Sequence, residues 1–363
     1  MTQIKPRADI VAMDKYHSPQ VDVAVRLNTN ESPLPVPPEW IADVRSAVDD
    51  VAWNRYPDRS ARALRQAIAA RHGVTAENVF AANGSNEVLQ TLLLTYAGAG
   101  RTVATFEPTY QLHAHLARIS GATVVSGQRD SDFCLQESEI LRVLETAQPH
   151  VVFLCNPNNP TGRLEPRRNI ELVIENAPGL IIIDEAYAEF SDWSALELVA
   201  EHSNVVVTRT FSKTWSLAAL RLGYDIAPTR IVEDLHTVVM PYHLDALKQI
   251  AGERALSYVE QMQSRVAGIV QERERIAMGL EKLGIDTWPS GANFILFRPT
   301  VTGAVGQGSG SESVWQKLLN AGVLVRDCST WAGLDGCLRV TVGTPAENDL
   351  FLKALRVAVG KGE

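Results

Sequence analysis

Lys213 stands directly after an apolar run, in the stretch 208–224 that reads TRTFSKTWSLAALRLGY. A lysine there has two possible fates. Its stem packs while its charge reaches water, or its amine is held part-desolvated, with a lowered pKa, able to form a Schiff base with a carbonyl. Thr210 and Ser212 put hydroxyls beside it, and Arg221, eight positions on, offers a fork suited to a phosphate. Together these groups fit a cofactor bearing both an aldehyde and a phosphate. Asp184 ends the run LIIID. A carboxylate there is costly to bury without a cationic partner, so it is either a strand-end cap or the partner of a protonated pyridine nitrogen. Tyr187 can donate to a ring oxygen, as can Asn159 within NPNNPTG, although a plain turn explains that motif as well. In NGSNE, residues 83–87, Gly84, Ser85 and Asn86 either offer donors to a phosphate at a helix N-terminus or simply cap the helix. Tyr110, closing FEPTY, either stacks on a flat ring or only packs.

These clusters need elements that bring them together. Runs such as LIIID and NVVVT are apolar on both faces, which suits parallel strands covered by helices on both sides. Four strands end in NGSNE, NPNNPTG, DEAY and TFSK, and open α/β sheets bind ligands at the carboxyl ends of their strands. The expected class is therefore α/β with a mostly parallel sheet. Residues 1–40 are rich in Pro and Asn and read as an arm that packs onto something larger. Residues 41–250 alternate strands and helices as a large domain. From 251 a long charged helix, short strands and a final helix suggest a smaller α+β domain, 251–363.

Other features direct the reading away from competing classes. The 363 residues are 45% hydrophobic and carry a net charge of −8, without a basic cluster, which disfavours nucleic acid or a membrane surface as partner. The four scattered cysteines read as reduced thiols, not as a disulfide frame or a zinc site. No signal peptide or membrane span is visible, so a soluble cytoplasmic protein is expected. GAVGQGSGS, at 303–311, lacks the spacing of a dinucleotide loop and reads as a surface loop. His113 and His115, two apart on a helix, point to different faces and do not clamp a metal; no metal is expected.

The ordered set LNTNESP, RYPD, ANGSNE, EPTY, CNPNNPTG, DEAYAEF, RTFSK, LRLGY, PYHL, ANFILF, VLVRD and RVTVGTPAEND resembles the fold-type I, pyridoxal-phosphate-dependent aminotransferases over nearly the whole chain. More narrowly it resembles the histidinol-phosphate aminotransferases. The resemblance implies a large domain with a seven-stranded type of sheet, pyridoxal 5′-phosphate as cofactor and a homodimer. It implies that Lys213 carries the cofactor as a Schiff base, that Asp184 pairs with the pyridine nitrogen, and that Tyr187 and Asn159 hold the ring hydroxyl while Tyr110 stacks on the ring. Ser85, Asn86, Thr210, Ser212 and Arg221 would hold the phosphate, and Tyr56 would reach the cofactor of the other subunit. Arg339 and Arg326 would bind the substrate's anionic group, with Asn159 beside it and with Tyr16 and Asn30 of the arm closing the site. The implied reaction is ping-pong transfer of an amino group between histidinol phosphate and 2-oxoglutarate, in histidine biosynthesis.

Where many members read AFGLAGLR after the lysine, this chain reads TWSLAALR, so Ser216 and Ala219 replace glycines and Trp215 is bulky. Ser32 stands where a second asparagine is usual. Two other readings share the scaffold: an aromatic (phenylalanine-type) aminotransferase, and a decarboxylase of a phosphorylated amino acid. A non-enzymatic cofactor-binding regulator ranks last, because no helix-turn-helix segment precedes the arm.

Overall fold

The computed structural model describes residues 4–11, 13, 20–299 and 310–361. Its strands, in chain order, are β1 (Val25–Leu27), β2 (Val79–Ala82), β3 (Thr102–Glu107), β4 (Thr123–Gln128), β5 (Val151–Cys155), β6 (Leu180–Asp184), β7 (Val205–Thr210), β8 (Gly223–Ile226), β9 (Asp286–Thr287), β10 (Phe294–Arg298), β11 (Val323–Asp327) and β12 (Leu338–Thr341). Seven form one sheet in the order β2-β8-β7-β6-β5-β3-β4. The pairs from β4 to β7 are parallel, and β8 runs antiparallel to both β2 and β7. Every residue of β5, β6 and β7 is buried, as expected for parallel strands covered by helices on both faces. One face packs Ile181, Ile183, Val205 and Val207 into one cluster, and the other packs Phe153, Ile182 and Val206 into a second. The sheet is thus mostly parallel, as expected. The antiparallel β8, within RLGYDI, carries no signal that separates it from a loop.

The remaining five strands form a second sheet in the order β1-β11-β12-β10-β9. The arm supplies its edge: β1 pairs in parallel with β11, Val25 opposite Val323. The arm thus packs onto the second sheet as one of its strands. Val25 and Leu27 are buried and Arg26 between them is exposed, an alternation that suits a short edge strand. Helices span the changeovers near residues 40 and 250. Residue 40 lies in the helix Pro38–Asp49, and residue 250 in the helix Ala246–Ala255. Trp40 donates its indole N–H to the carbonyl of Ala251 (3.2 Å), which joins these two helices. The long helix Val259–Lys282 then turns its Ile269, Ile276 and Leu280 onto the second sheet's core. Among the described residues no helix is long and apolar enough to cross a membrane. Most of the Gly/Ser stretch 303–311 lies outside the described residues; Gly310 and Ser311 open the helix Gly310–Asn320.

Candidate active site

Four strand ends meet at one cavity of about 390 Å³. At the first, β2 gives way to the helix Ser85–Tyr96 through Gly84, whose φ of 82° suits glycine. Early N–H groups of an α-helix have no intrahelical acceptor, and no side chain caps these. Packing here is tight. A Cβ on Gly84 would sit 2.9 Å from Arg221 Nη2, and a Cβ on Gly223 would sit 2.2 Å from the Ser85 nitrogen. Arg221 therefore lies against an uncapped helix N-terminus, with Ser212 and Thr210 around it. Its Nη1 donates to Ser212 Oγ (3.3 Å), and the Ser212 N–H donates to Thr210 Oγ1 (3.1 Å). Arg221 itself holds a left-handed φ of 52°, and such strain in a non-glycine residue gathers at functional sites. Helix dipole, guanidinium and hydroxyls together form an anion cradle.

The end of β6 brings an acid and a phenol. Successive strand residues point to opposite faces, so Asp184 and Glu185 part company at the end of β6. Glu185 turns away and is held by Arg209, with Nη2 to Oε2 at 2.7 Å. Asp184 lines the cavity, accepts from the Ala186 N–H (3.2 Å) and meets His113 Nε2 at 2.9 Å. His113 is fully buried and stacks on Phe153 at 4.4 Å between centroids. Reading the two histidines only as a failed metal pair missed this role. The useful signal was the cost of burying Asp184, which demands a partner; the helix after EPTY supplies it. Tyr187 accepts a hydrogen bond from Asn30 Nδ2 of the arm (2.9 Å), and burial pushes its phenol well above the usual range.

Lys213 completes the set. Its Nζ donates to the carbonyl of Thr29 (3.1 Å) and lies 5.9 Å from the centre of the Tyr187 ring. Burial, and then the nearby Arg339 charge, lowers its amine from 10.5 to about 8. The half-buried side chain and the bond of Nζ to a backbone carbonyl support the part-desolvated reading of Lys213.

From the second sheet come two arginines. Arg326 and Arg339 are register partners on β11 and β12, so both point to one face. Arg339 donates Nη1 to Asn159 Oδ1 and Nη2 to the Asn28 carbonyl (3.0 Å). An arginine can only donate, so the Asn159 oxygen faces Arg339 and its NH₂ is left for another acceptor. The arm is tied to the same region: Asn30 N–H and Oδ1 both meet Thr341 Oγ1, at 3.0 and 3.1 Å, and Ser216 Oγ donates to Ser32 Oγ at 2.8 Å.

Thirteen of the residues singled out from sequence line this one cavity: Asn30, Ser85, Asn86, Tyr110, Asn159, Asp184, Tyr187, Thr210, Ser212, Lys213, Arg221, Arg326 and Arg339. Tyr56 does not line it. It is 79% exposed and stacks on Tyr242 at 4.5 Å. Tyr16 lies outside the described residues. Trp331, also on the cavity wall, was missed, since a lone tryptophan in a loop carries no spacing signal. Among the described residues no group of three or more His, Cys, Asp or Glu is placed to hold a metal ion.

Comparison with known proteins agrees with this arrangement. Residues 22–355 match the family model described as aminotransferase class I and II. The chain is 41% identical over 362 residues to the histidinol-phosphate aminotransferase of Thermobifida fusca (strain YX), covering 98% of this chain and 95% of that one. It is 40% identical over 361 residues to the histidinol-phosphate aminotransferase of Corynebacterium diphtheriae, covering 96% and 95%. In fold it is similar to the crystal structure of histidinol-phosphate aminotransferase from Sinorhizobium meliloti in complex with pyridoxal-5′-phosphate, with a TM-score of 0.88, 23% identity and 98% of each chain covered.

Proposed function

The chain belongs to the aminotransferase class I and II family, and we propose that it uses pyridoxal 5′-phosphate to move an amino group from histidinol phosphate to 2-oxoglutarate in histidine biosynthesis. The observation that carries this reading is the meeting, in one cavity, of a part-desolvated amine, an anion cradle and a pair of guanidinium groups.

The residues present fit the cofactor. The uncapped helix end beside Arg221 suits its phosphate, and Asp184, held by His113, suits a protonated ring nitrogen. When bound, the group supplies an aldehyde that captures amines and a ring that accepts the electron pair freed at the substrate carbon. Ser85, Asn86, Thr210, Ser212 and Arg221 would hold the phosphate. Asp184 would keep a proton on the ring nitrogen, and His113 fixes the direction of that carboxylate. Tyr187 and the NH₂ of Asn159 would hold the ring oxygen, and Tyr110 would support the ring. Lys213 would hold the group at its aldehyde carbon, a link that a substrate amine can exchange. Once free, its Nζ would carry the proton from the substrate carbon to the cofactor carbon. Arg339 and Arg326 hold the phosphate of one substrate and a carboxylate of the other, which a planar fork suits equally. Asn30 closes the site from the arm. The two amino-group transfers thus alternate in one cavity, as a ping-pong reaction.

The division into arm (1–40), large domain (41–250) and small domain (251–363) is supported by the two sheets, with helices rather than loose linkers at the changeovers. A homodimer is supported by exposed Trp53, Tyr56 and Met240, at 69%, 79% and 73% exposure, since exposed aromatic groups suit an interface. In that dimer Tyr56 reaches the partner's cofactor phosphate. Four free cysteines agree with a reducing cytoplasmic setting.

A single-turnover absorbance experiment tests the substrate. The cofactor-loaded protein is mixed with histidinol phosphate, and separately with phenylalanine, and loss of the visible cofactor band is timed. Faster loss with histidinol phosphate is expected. Faster loss with phenylalanine would make the protein an aromatic aminotransferase.

A further inference from the structure

We infer that Trp331 is a positioning residue for the paired arginines, and that it sets how strongly the enzyme prefers a donor carrying a phosphate. This rests on the substrate reading above.

The starting point is a conflict of charge. Arg326 and Arg339 face each other across β11 and β12, where opposed Cβ atoms lie about 4.5–5.5 Å apart and like charges repel. Each guanidinium answers this by lying on an aromatic face. Arg339 sits 5.0 Å over the ring of Phe294, and Arg326 sits 5.6 Å over the ring of Trp331. The negative face of a ring attracts a cation, more strongly where water is excluded. The two supports differ in origin. Phe294 belongs to β10, beside β12, so the sheet itself fixes it. Trp331 belongs to the loop between β11 and β12, held by that loop's own hydrogen bonds and by the side chains packed on it.

That structure is firm. The Trp331 N–H donates to the Cys328 carbonyl (2.9 Å), and the Leu334 N–H donates to the Trp331 carbonyl (3.0 Å). Phe133, Leu296, Cys328, Leu334 and Cys337 pack with the indole as a buried cluster. Only 8% of Trp331 is exposed, yet it lines the cavity. A ring held in this way keeps the Arg326 fork in one plane beside Arg339. Arg326 is then oriented before the anion arrives, and less freedom is lost on binding. Without the ring, Arg326 loses one of its supports against repulsion from Arg339. A donor with a phosphate loses by this. The same amino alcohol without its phosphate has no anion to place there.

The experiment uses the cofactor-loaded enzyme and two donors, histidinol phosphate and histidinol, with wild type, Trp331→Leu and Trp331→Phe. The readout is the ratio of their kcat/KM values. In Trp331→Leu we expect this ratio to fall about three- to tenfold, mainly through KM for histidinol phosphate. In Trp331→Phe, which keeps a π face, the ratio returns toward wild type. Visible absorbance and circular dichroism check that each variant is folded and loaded, and Trp331→Met replaces the leucine variant if that one is not. An unchanged ratio in the folded aliphatic variant overturns the inference, and so does an equal fall in Trp331→Phe, because a purely space-filling role predicts no special value for a ring. If wild type shows no preference for the phosphorylated donor, the substrate reading fails instead.

Discussion

One side of the cavity is made from strand ends of a single sheet; the other is made from the arm and the second sheet. On the strand-end side, Asp184 and Thr210 end buried strands and Ser85 follows one by two residues, so each is placed by its own strand. On the arm side, contacts span long stretches of chain. Lys213 meets Thr29 across 184 positions, Arg339 meets Asn159 across 180, and Asn30 meets Thr341 across 311. The first side is set once the sheet folds. The second exists only when three distant segments close on one another, so it is the side on which loops and arm can alter the substrate without disturbing the cofactor.

The largest expected effect lies on the strand-end side. Lys213→Ala should lower turnover by at least about 10⁴-fold, since it removes both the covalent anchor and the proton carrier, with a thermal midpoint near that of wild type. Near-full activity in that variant would sink the catalytic assignment. His113→Leu comes next. It keeps an apolar group against Phe153 and leaves Asp184 without its partner, so activity should fall about ten- to a hundredfold, as losses of such supporting partners do. A loss in stability with activity per folded molecule unchanged would reduce His113 to a packing residue.

A pH effect follows from the amine. Only neutral Nζ attacks an aldehyde, so the rate at which cofactor-free protein takes up pyridoxal 5′-phosphate should rise about tenfold per unit below pH 8 and level off above it. A midpoint near 10.5 would contradict the desolvated site. The sign of the stability effect can be checked as well. Between about 8 and 10.5 the unfolded chain binds this proton and the folded one does not, so the cofactor-free fold gains stability as pH rises through that window.

The smallest expected effect sits on the arm side. Ser216 holds a left-handed φ of 60° and its hydroxyl meets Ser32. Ser216→Gly relieves strain of about 1 kcal/mol and loses a hydrogen bond worth about 1 kcal/mol. The thermal midpoint should stay within a few degrees of wild type, while KM for histidinol phosphate should rise about two- to threefold as the arm loses a tie. An unchanged KM would mean that the Ser32–Ser216 contact does not help close the site.

The same contrast explains what could be read from sequence. Strand-end motifs are local, so LIIID, TFSK and NGSNE disclosed both the sheet and the cofactor side. Parity along β6 even separates Asp184 from Glu185, because alternate residues face opposite ways. What stayed hidden depends on pairings across the chain. The antiparallel β8 drew no reading, and the three residues of β1 give too little alternation to mark a strand within the arm. His113 was legible only as the unmet need of Asp184 for a partner. Trp331 was not legible, since its place beside Arg326 is set by the packing of Phe133, Leu296 and Cys337. Which substrate fits is likewise a property of the closed arm side, where the departures at Ser32 and Ser216 meet.

The most direct test of this division is Arg339→Ala, followed by single-turnover absorbance in each half-reaction, once with histidinol phosphate and once with 2-oxoglutarate on the aminated enzyme. If one arginine pair serves both anions, both half-reactions should slow by about a hundredfold, as truncation of a buried charge partner does, with cofactor content unchanged. Loss in only one half-reaction would show that the two anions use different residues, and would contradict the shared site.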